Sequence, residues 1–218
     1  GDARFRRGEE VVLFLEPHPA EKGSFILTSM AAAKFTVQKA DGTQFAVRDI
    51  SSLSFVRPDD IGRAARELLD LYKSKRLTVA TAESCTGGLV AAALTEIPGS
   101  SVFVDRGFVT YTNEAKQEML GVPHDTLERF GAVSSETAEA MARGALAHSK
   151  ASVSVSITGI AGPTGATPGK PIGLVHFAAA TRDGRLIHHE ARFGDIGRAE
   201  VRRKSVWQAL TMLRELAS

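Results

Sequence analysis

Three short segments of the sequence combine side chains that could do chemistry with glycines that let a ligand approach the backbone closely. They are ESCTGG at 83–88, YTNEAK at 111–116 and TGIAGPTGATPGKP at 158–171. Each follows a run of residues that predicts a β-strand. In α/β proteins, ligands bind beyond the carboxyl ends of the strands, where loops and helix N-termini converge. We therefore expect the three segments to face one another around a single site.

Ser84 is the candidate nucleophile of the first segment. It stands at a predicted strand-to-helix turn, where Gly87 and Gly88 let the backbone turn sharply. Free amides at the start of the helix could stabilise the oxyanion that forms when a serine attacks a carbonyl. The neighbouring Glu83 is expected to order the turn, and a catalytic role for it stays open. A serine before a helix is more often a helix cap than a nucleophile. From this segment alone, both roles therefore stay open for Ser84.

A serine nucleophile requires a base, and the sequence offers histidines or a lysine with a lowered pKa. Lys116 lies at the start of a predicted helix after a strand, which places it near the expected site. Tyr111, at the end of that strand, could relay a proton or hold the lysine. On residue type alone, such a lysine is more often solvated than catalytic. The histidines fall mainly in predicted hairpins or surface helices, and they are His18, His124, His148, His176, His188 and His189.

The composition argues against several classes of protein. The chain of 218 residues carries 27 basic and 25 acidic side chains, and this balance argues against a nucleic-acid-binding surface. Its apolar stretches are short and interrupted, so we expect neither a membrane span nor a secretory signal, and the predicted location is cytoplasmic. A single cysteine, Cys85, excludes an internal disulfide and a cysteine-rich metal site. We interpret it as a small buried residue.

From residue 58 onward, strand patterns alternate with helix patterns. The first helix is predicted to begin with a cap at Asp59 or Asp60 and to end near Lys75 or Arg76. The remaining predicted elements are strand 77–82, helix 87–96, strand 102–111, helices 114–120, 124–130 and 135–148, strands 152–158, 172–181 and 185–193, and helix 198–216. The alternation predicts a three-layer α/β/α domain over 58–218. The hairpin around Asp183-Gly184 makes its sheet mixed.

Residues 1–57 follow a different pattern. Short β-branched and aromatic runs alternate with turns, and Asp41-Gly42 is a strong hairpin signal. Without helical periodicity, this part predicts a small antiparallel, barrel-like β module of unknown role.

Seven segments in order resemble the CinA C-terminal domain family. They are TAESCTGG, PGSS, RGFVTYTNEAK, GAVSSETAEAMA, SITGIAGPTG, KPIGLVHFA and RRKSVWQAL. The resemblance covers residues 60–217 and does not extend into 1–57. It implies an amidohydrolase that converts nicotinamide mononucleotide to nicotinate mononucleotide and ammonia, in pyridine nucleotide salvage, without a metal or another cofactor. The implied partner is this small nucleotide, with no membrane or nucleic acid, and a homo-oligomer is compatible with the family.

The resemblance also implies roles for individual residues. Ser84 matches the family's nucleophile and Lys116 its base, with Tyr111 in support. The expected substrate-binding or supporting residues are Ser101, Thr158, Gly159, Arg202, Arg198, Thr86 and Gly87. The family usually has Gly-Asp-Arg before the last helix, whereas GDIGRAEVR here separates Asp195 from the next arginine. The choice between Arg198 and Arg202 as the substrate-binding arginine therefore stays open.

Two alternatives remain at the level of the sequence. The domain could be a catalytically silent nucleotide-binding or regulatory module, because the family also occurs as appendages of multidomain competence-associated proteins. The presence of Ser84, Tyr111 and Lys116 together argues against silence, since a binding module needs no activated base. The β module could instead tether the enzyme to an RNA or a protein, although its arginines near residue 6 are more typical of a solvated terminus.

Overall fold

The computed structural model describes residues 58–218 and, before them, only four strands. These are β1 (Glu16–Pro17), β2 (Phe25–Ile26), β3 (Phe35–Ala40) and β4 (Thr43–Arg48). β1 pairs antiparallel with β2, and β3 pairs antiparallel with β4. The predicted turn at Asp41-Gly42 and the closure of a barrel lie outside the described residues. The chain divides into two units, 1–52 and 53–218, and the second carries all the chemical segments.

The second unit alternates helices and strands, as its sequence predicts. Its helices are α1 (Pro58–Lys75), α2 (Leu89–Thr95), α3 (Asn113–Leu120), α4 (His124–Phe130), α5 (Ser135–Ala147) and α6 (Arg198–Ala217). Its strands are β5 (Val79–Glu83), β6 (Val104–Val109), β7 (Val153–Gly159), β8 (Leu174–Thr181) and β9 (Leu186–Arg192).

The five strands form one mixed sheet between two layers of helices, which confirms the predicted three-layer α/β/α fold. The strand order is β6-β5-β7-β8-β9. β6, β5 and β7 run parallel, while β8 and β9 add an antiparallel hairpin. α1, α2 and α6 pack on one face of the sheet, and α3, α4 and α5 pack on the other.

Small residues let α5 lie close against its neighbours. Ser154 and Ser156 of β7 donate hydrogen bonds to the carbonyls of Ala142 and Ala138 in α5, at 2.7 and 2.6 Å. A Cβ on Gly144 of α5 would lie 2.0 Å from the carbonyl oxygen of Leu120, so only glycine fits there. The β7–α5 contact is therefore closely packed, with its buried hydroxyls hydrogen-bonded.

The sheet has a switch point at β5, the strand that precedes the Ser84 segment. The chain leaves β5 for β6 on one side and then crosses to β7 on the other. At such a point the connecting loops part and leave a crevice at the carboxyl ends of the strands. The segments that follow β5, β6 and β7 all begin at this end, as we expected from the sequence.

Candidate active site

Ser84 lies on a tight turn between β5 and α2. Its amide donates to the carbonyl of Ile157 in β7, at 2.9 Å, so the turn is fastened to the adjacent strand. Gly87 and Gly88 have φ values of +58° and +94°, which side chains other than glycine rarely adopt. The chain can therefore turn from strand to helix within a few residues, and the Ser84 side chain is left 9% exposed.

Lys116 reaches Ser84 from α3. The hydroxyl of Thr112 caps this helix by accepting from the amide of Ala115, at 3.1 Å. The Lys116 side chain is 1% exposed. Its Nζ lies 3.2 Å from Ser84 Oγ and donates to the carbonyl of Thr110 at 2.9 Å. The structure thus brings the predicted nucleophile and the predicted base into hydrogen-bond contact.

Burial lowers the pKa of Lys116 from its ordinary value, and the nearby Cys85 and Glu114 oppose this effect. The hydrogen-bond partners of the Lys116 amine are the Ser84 hydroxyl and the carbonyls of Thr110 and Thr112. Among the described residues, no carboxylate bonds to it. A buried amine without an ion-pair partner is more easily deprotonated. Lys116 is therefore suited to accept a proton from Ser84.

The other candidate bases and nucleophiles do not share this contact. Burial raises the pKa of the Cys85 thiol to about 12, which keeps it protonated near neutral pH. His176 Nδ1 instead lies 3.1 Å from His188 Nε2, between β8 and β9. Across residues 58–218, no histidine bonds to Ser84 or Lys116. The pairing of serine with lysine is the one that the geometry supports.

Glu83 caps the start of α2 with its side chain. The carboxylate is fully buried. One oxygen accepts from the amides of Gly88 and Val90, at 3.1 and 3.0 Å, and the other accepts from Ala91 at 2.8 Å. The sequence predicts that Glu83 orders the turn and leaves a catalytic role open, and in the structure its oxygens are bonded to the backbone of the turn and helix.

The two candidate arginines have different surroundings. Arg198 is exposed, and its guanidinium donates to the Tyr111 hydroxyl at 2.8 Å and to the carbonyl of Gly162 at 3.1 Å. Arg202 donates to the carbonyl of Thr86 at 2.8 Å, and its Nε is buried without a partner among the described residues. Arg198 therefore bridges two loops at the mouth of the site, whereas Arg202 is bonded to the turn that carries Ser84.

The structure places Tyr111 near the mouth rather than beside the base. Its side chain is 56% exposed, and its hydroxyl accepts from Arg198. Within the described part of the chain, Tyr111 makes no hydrogen bond to Lys116. A proton relay through Tyr111 stays a prediction.

Ser101 is not brought to the site within one chain. It lies in a short 3-10 turn, Ser100–Val102, before β6. The register pairs Val104 with Val79 at that end of the sheet and Val109 with Glu83 at the other. Ser101 and Ser84 are therefore separated by the length of a strand, about 15 Å at about 3.3 Å per residue.

The remaining predicted residues surround the turn or support it. Thr86 is fully buried, and its hydroxyl has no partner among the described residues. A Cβ on Gly87 would lie 3.4 Å from the Arg202 guanidinium. The Thr158 hydroxyl donates to the carbonyl of Ala132 at 2.5 Å. Gly159 packs against β8, where a Cβ would lie 2.7 Å from the carbonyl oxygen of Leu174.

Sequence reasoning missed two features of the site. One is the bridge from Arg198 to Tyr111 and Gly162, which joins residues far apart in the chain and has no local signal. The other is the form of the cap, since the sequence predicts that Glu83 orders the turn but not that its carboxylate accepts from the amides of Gly88, Val90 and Ala91. An acidic residue at the end of a buried strand, directly before a glycine-containing turn and a helix, is a signal that could have indicated it.

Residues 58–218 contain no group of three or more histidine, cysteine or acidic side chains that could hold a metal ion. None of the helices described is both long enough and apolar enough to cross a bilayer.

Relatives among known proteins match the part of the chain that carries the site. A protein of Caldicellulosiruptor bescii named as competence-damage inducible is 47% identical over 149 residues, which make up 68% of this chain and 36% of that protein. The nicotinamide-nucleotide amidohydrolase PncC of Enterobacter agglomerans is 48% identical over 143 residues, 66% of this chain and 87% of that protein. The chain thus spans about a third of the first relative and most of the second.

A solved structure shares the fold as well as the sequence. The competence/damage inducible protein CihA of Agrobacterium tumefaciens has a TM-score of 0.73 and 55% sequence identity, covering 76% of this chain and all of that one. The family model of the CinA C-terminal domain matches residues 62–217. These findings confirm the resemblance that the sequence indicates: the chain belongs to the CinA C-terminal domain family.

Proposed function

We propose that residues 58–218 hydrolyse the carboxamide of nicotinamide mononucleotide, yielding nicotinate mononucleotide and ammonia. The contact of 3.2 Å between Lys116 Nζ and Ser84 Oγ, in a buried setting that lowers the lysine pKa, carries the proposal. The name of the Enterobacter agglomerans relative supplies the substrate class. Pyridine nucleotide salvage is the pathway that this reaction would serve.

The first step is the attack of Ser84 on the carboxamide carbon. The neutral amine of Lys116 accepts the serine proton as the Oγ–C bond forms. The carbonyl oxygen then carries a negative charge that backbone donors must stabilise. Across residues 58–218, the amides of Cys85 and Thr86 donate to no other residue, whereas that of Gly88 is bonded to Glu83. The amides of Cys85 and Thr86 are the donors left for this oxyanion.

The second step breaks the carbon–nitrogen bond. Lys116, now protonated, gives its proton to the departing nitrogen, which leaves as ammonia. Water then attacks the acyl group on Ser84 while Lys116 accepts a proton from it. The Oγ–C bond breaks, Lys116 returns that proton to Ser84 Oγ, and the acid product is released. One base thus serves both halves of the reaction without a metal or another cofactor.

The phosphate of the substrate is assigned to Arg198. Its hydrogen-bond partners, Tyr111 and Gly162, are neutral, and its side chain is open to solvent at the mouth. Arg202 is engaged with the turn of Ser84, and its Nε is inaccessible. An exposed guanidinium can grip a phosphate through paired, charge-assisted hydrogen bonds.

Replacing Arg198 by Lys should therefore raise the KM for the mononucleotide by about 10- to 100-fold, the usual size for losing hydrogen bonds to a charged group. The value for nicotinamide riboside, which lacks the phosphate, should change little. Arg202→Lys is the matched comparison, and it should lower kcat more than it raises KM, because Arg202 supports the Ser84 turn. Steady-state kinetics on both substrates check the assignment. Equal losses on both substrates for Arg198→Lys would contradict it.

Ammonia release from the purified chain tests the proposed reaction directly. The chain should release ammonia from nicotinamide mononucleotide, and much less from nicotinamide riboside or nicotinamide. Binding of the nucleotide without ammonia release would favour the silent nucleotide-binding or regulatory module instead.

We further propose that catalysis requires only residues 58–218. Every matched segment lies in residues 58–218, so a chain lacking residues 1–57 should keep a kcat within a few-fold of the full chain. Comparing kcat per active site, titrated by Ser84 labelling, makes the measurement independent of expression. Loss of activity in a truncated chain that stays folded would show that catalysis also requires residues 1–57. The cytoplasmic location and a homo-oligomer stay predictions.

A further inference from the structure

Two charged side chains hold the turn that carries Ser84. Glu83 accepts hydrogen bonds from the amides of Gly88, Val90 and Ala91 on the helix side. Arg202 donates to the carbonyl of Thr86 in the middle of the turn, at 2.8 Å. Neither side chain bonds to Ser84 or Lys116 among the described residues, so any effect on the chemistry must act through the turn.

The Glu83 carboxylate occupies the start of α2. The first amides of a helix have no partner within the helix, and they commonly bind an anion or a capping side chain. Here the carboxylate follows directly from β5, adjacent to the nucleophile, and both of its oxygens point into the helix. It is fully buried, so solvent does not compete for these hydrogen bonds.

We propose that Glu83 is a positioning residue, an internal anion that occupies the start of α2 and fixes the turn so that the amides of Cys85 and Thr86 face the reacting carbonyl. The inference rests on the proposed function for the identity of the reaction. The arrangement of the turn does not depend on the substrate.

This position has a consequence for the substrate. Because the amides of Gly88, Val90 and Ala91 are bonded to Glu83, α2 offers them to no other anion. The phosphate of the nucleotide must then bind elsewhere, which agrees with its assignment to the exposed Arg198. With Glu83 in this position, the phosphate binds at Arg198 and the carboxamide reacts at Ser84, so the two groups of the substrate use different parts of the site.

The substitution Glu83→Gln tests the role with little change in size. The amide of glutamine keeps one acceptor oxygen but replaces the other by an NH₂ group, which must face a backbone N–H. The turn should lose at least one of its three hydrogen bonds. We expect kcat to fall by about 10- to 100-fold, the scale of a misplacement of about 1 Å, while KM changes by less than about threefold.

Glu200→Gln is the matched control. Glu200 is also a buried carboxylate in the first turn of a helix, α6, where it pairs with Arg203. The same chemical change there should leave kcat unchanged. A loss of kcat confined to the Glu83 variant separates positioning of the turn from general weakening of the fold.

Two readouts need no natural substrate. Hydrogen exchange at the amides of Gly88, Val90 and Ala91 should accelerate in Glu83→Gln, and labelling of Ser84 by a fluorophosphonate should slow about tenfold or more, because that reaction also needs the oxyanion donors. If the wild-type chain releases no ammonia from the mononucleotide, the proposed function fails, and these two readouts still decide the role of Glu83. Unchanged exchange, or labelling at the wild-type rate, overturns the proposal.

If the Gln variant does not fold, Glu83→Asp carries the same test. Aspartate keeps both oxygens but withdraws them by about 1.5 Å, one carbon–carbon bond, so it cannot reach all three amides. The same losses of kcat and of Ser84 labelling are expected. A folded Asp variant with wild-type kcat and labelling overturns the proposal.

Discussion

Replacing Ser84 or Lys116 by Ala should each lower kcat by about a thousandfold or more, and the double variant should be little worse than either single one. The reason is that the two side chains act as one unit, because an unactivated hydroxyl and an unused base each contribute little alone. The distance of 3.2 Å between Nζ and Oγ places them in direct contact. A double-mutant cycle on kcat for the mononucleotide measures the coupling.

Cys85→Ala is the matched control for this cycle. Cys85 is adjacent to the nucleophile in sequence and is 5% exposed. Because its thiol stays protonated, we expect its loss to leave kcat within a few-fold of the wild type. Losses in the double variant that equal the product of the single losses would mean that Ser84 and Lys116 act independently, and Lys116 would then not be the base.

The sequence predicted the order and type of every α-helix and β-strand in residues 58–218, because strong periodicity and clear turn signals mark them. The hairpin of β8 and β9 around Asp183-Gly184 is an example, with Gly184 at a φ of +98°. Boundaries were less exact. The helix after Ser84 was predicted from residue 87 but begins at Leu89, because Gly87 and Gly88 adopt positive φ values before it.

The sequence also placed the three chemical segments at one end of the sheet, since each follows a strand. It could not place Ser101, because a local pattern does not show in which direction β6 runs beside β5. β6 runs parallel to β5, so Ser101, which precedes β6, lies at the opposite end of the sheet from Ser84, which follows β5. A supporting or substrate-binding role for Ser101 stays a prediction.

The two arginines show a second limit. Arg198 and Arg202 are one helical turn apart, so their spacing predicts that both lie on the same side of α6. In the structure, their hydrogen-bond partners differ in exposure. Arg202 donates to the buried carbonyl of Thr86, while Arg198 donates to the exposed hydroxyl of Tyr111. Side-chain contacts of this kind depend on tertiary packing, and local sequence patterns do not encode them.

The pH dependence of turnover should report the ionisation of Lys116. The amine must be neutral to accept the serine proton, and burial lowers its pKa from the ordinary value. The neutral fraction rises with pH, so kcat should fall on the acid side by about tenfold per pH unit below the lowered pKa. The limb should lie below the range of an ordinary lysine, about 10.4. A limb at the ordinary lysine value would contradict the role of Lys116 as the base.

Glu114 offers a sharper form of the same test. Its negative charge raises the pKa of Lys116 and so opposes the effect of burial. Removing that charge in Glu114→Gln should lower the lysine pKa further and move the acid limb to lower pH. Glu118→Gln, an exposed change on the same helix, is the control and should leave the limb in place. Because Glu114 is exposed, added salt should shrink the difference between the two variants. Identical limbs in both variants at low salt would show that the ionising group lies elsewhere.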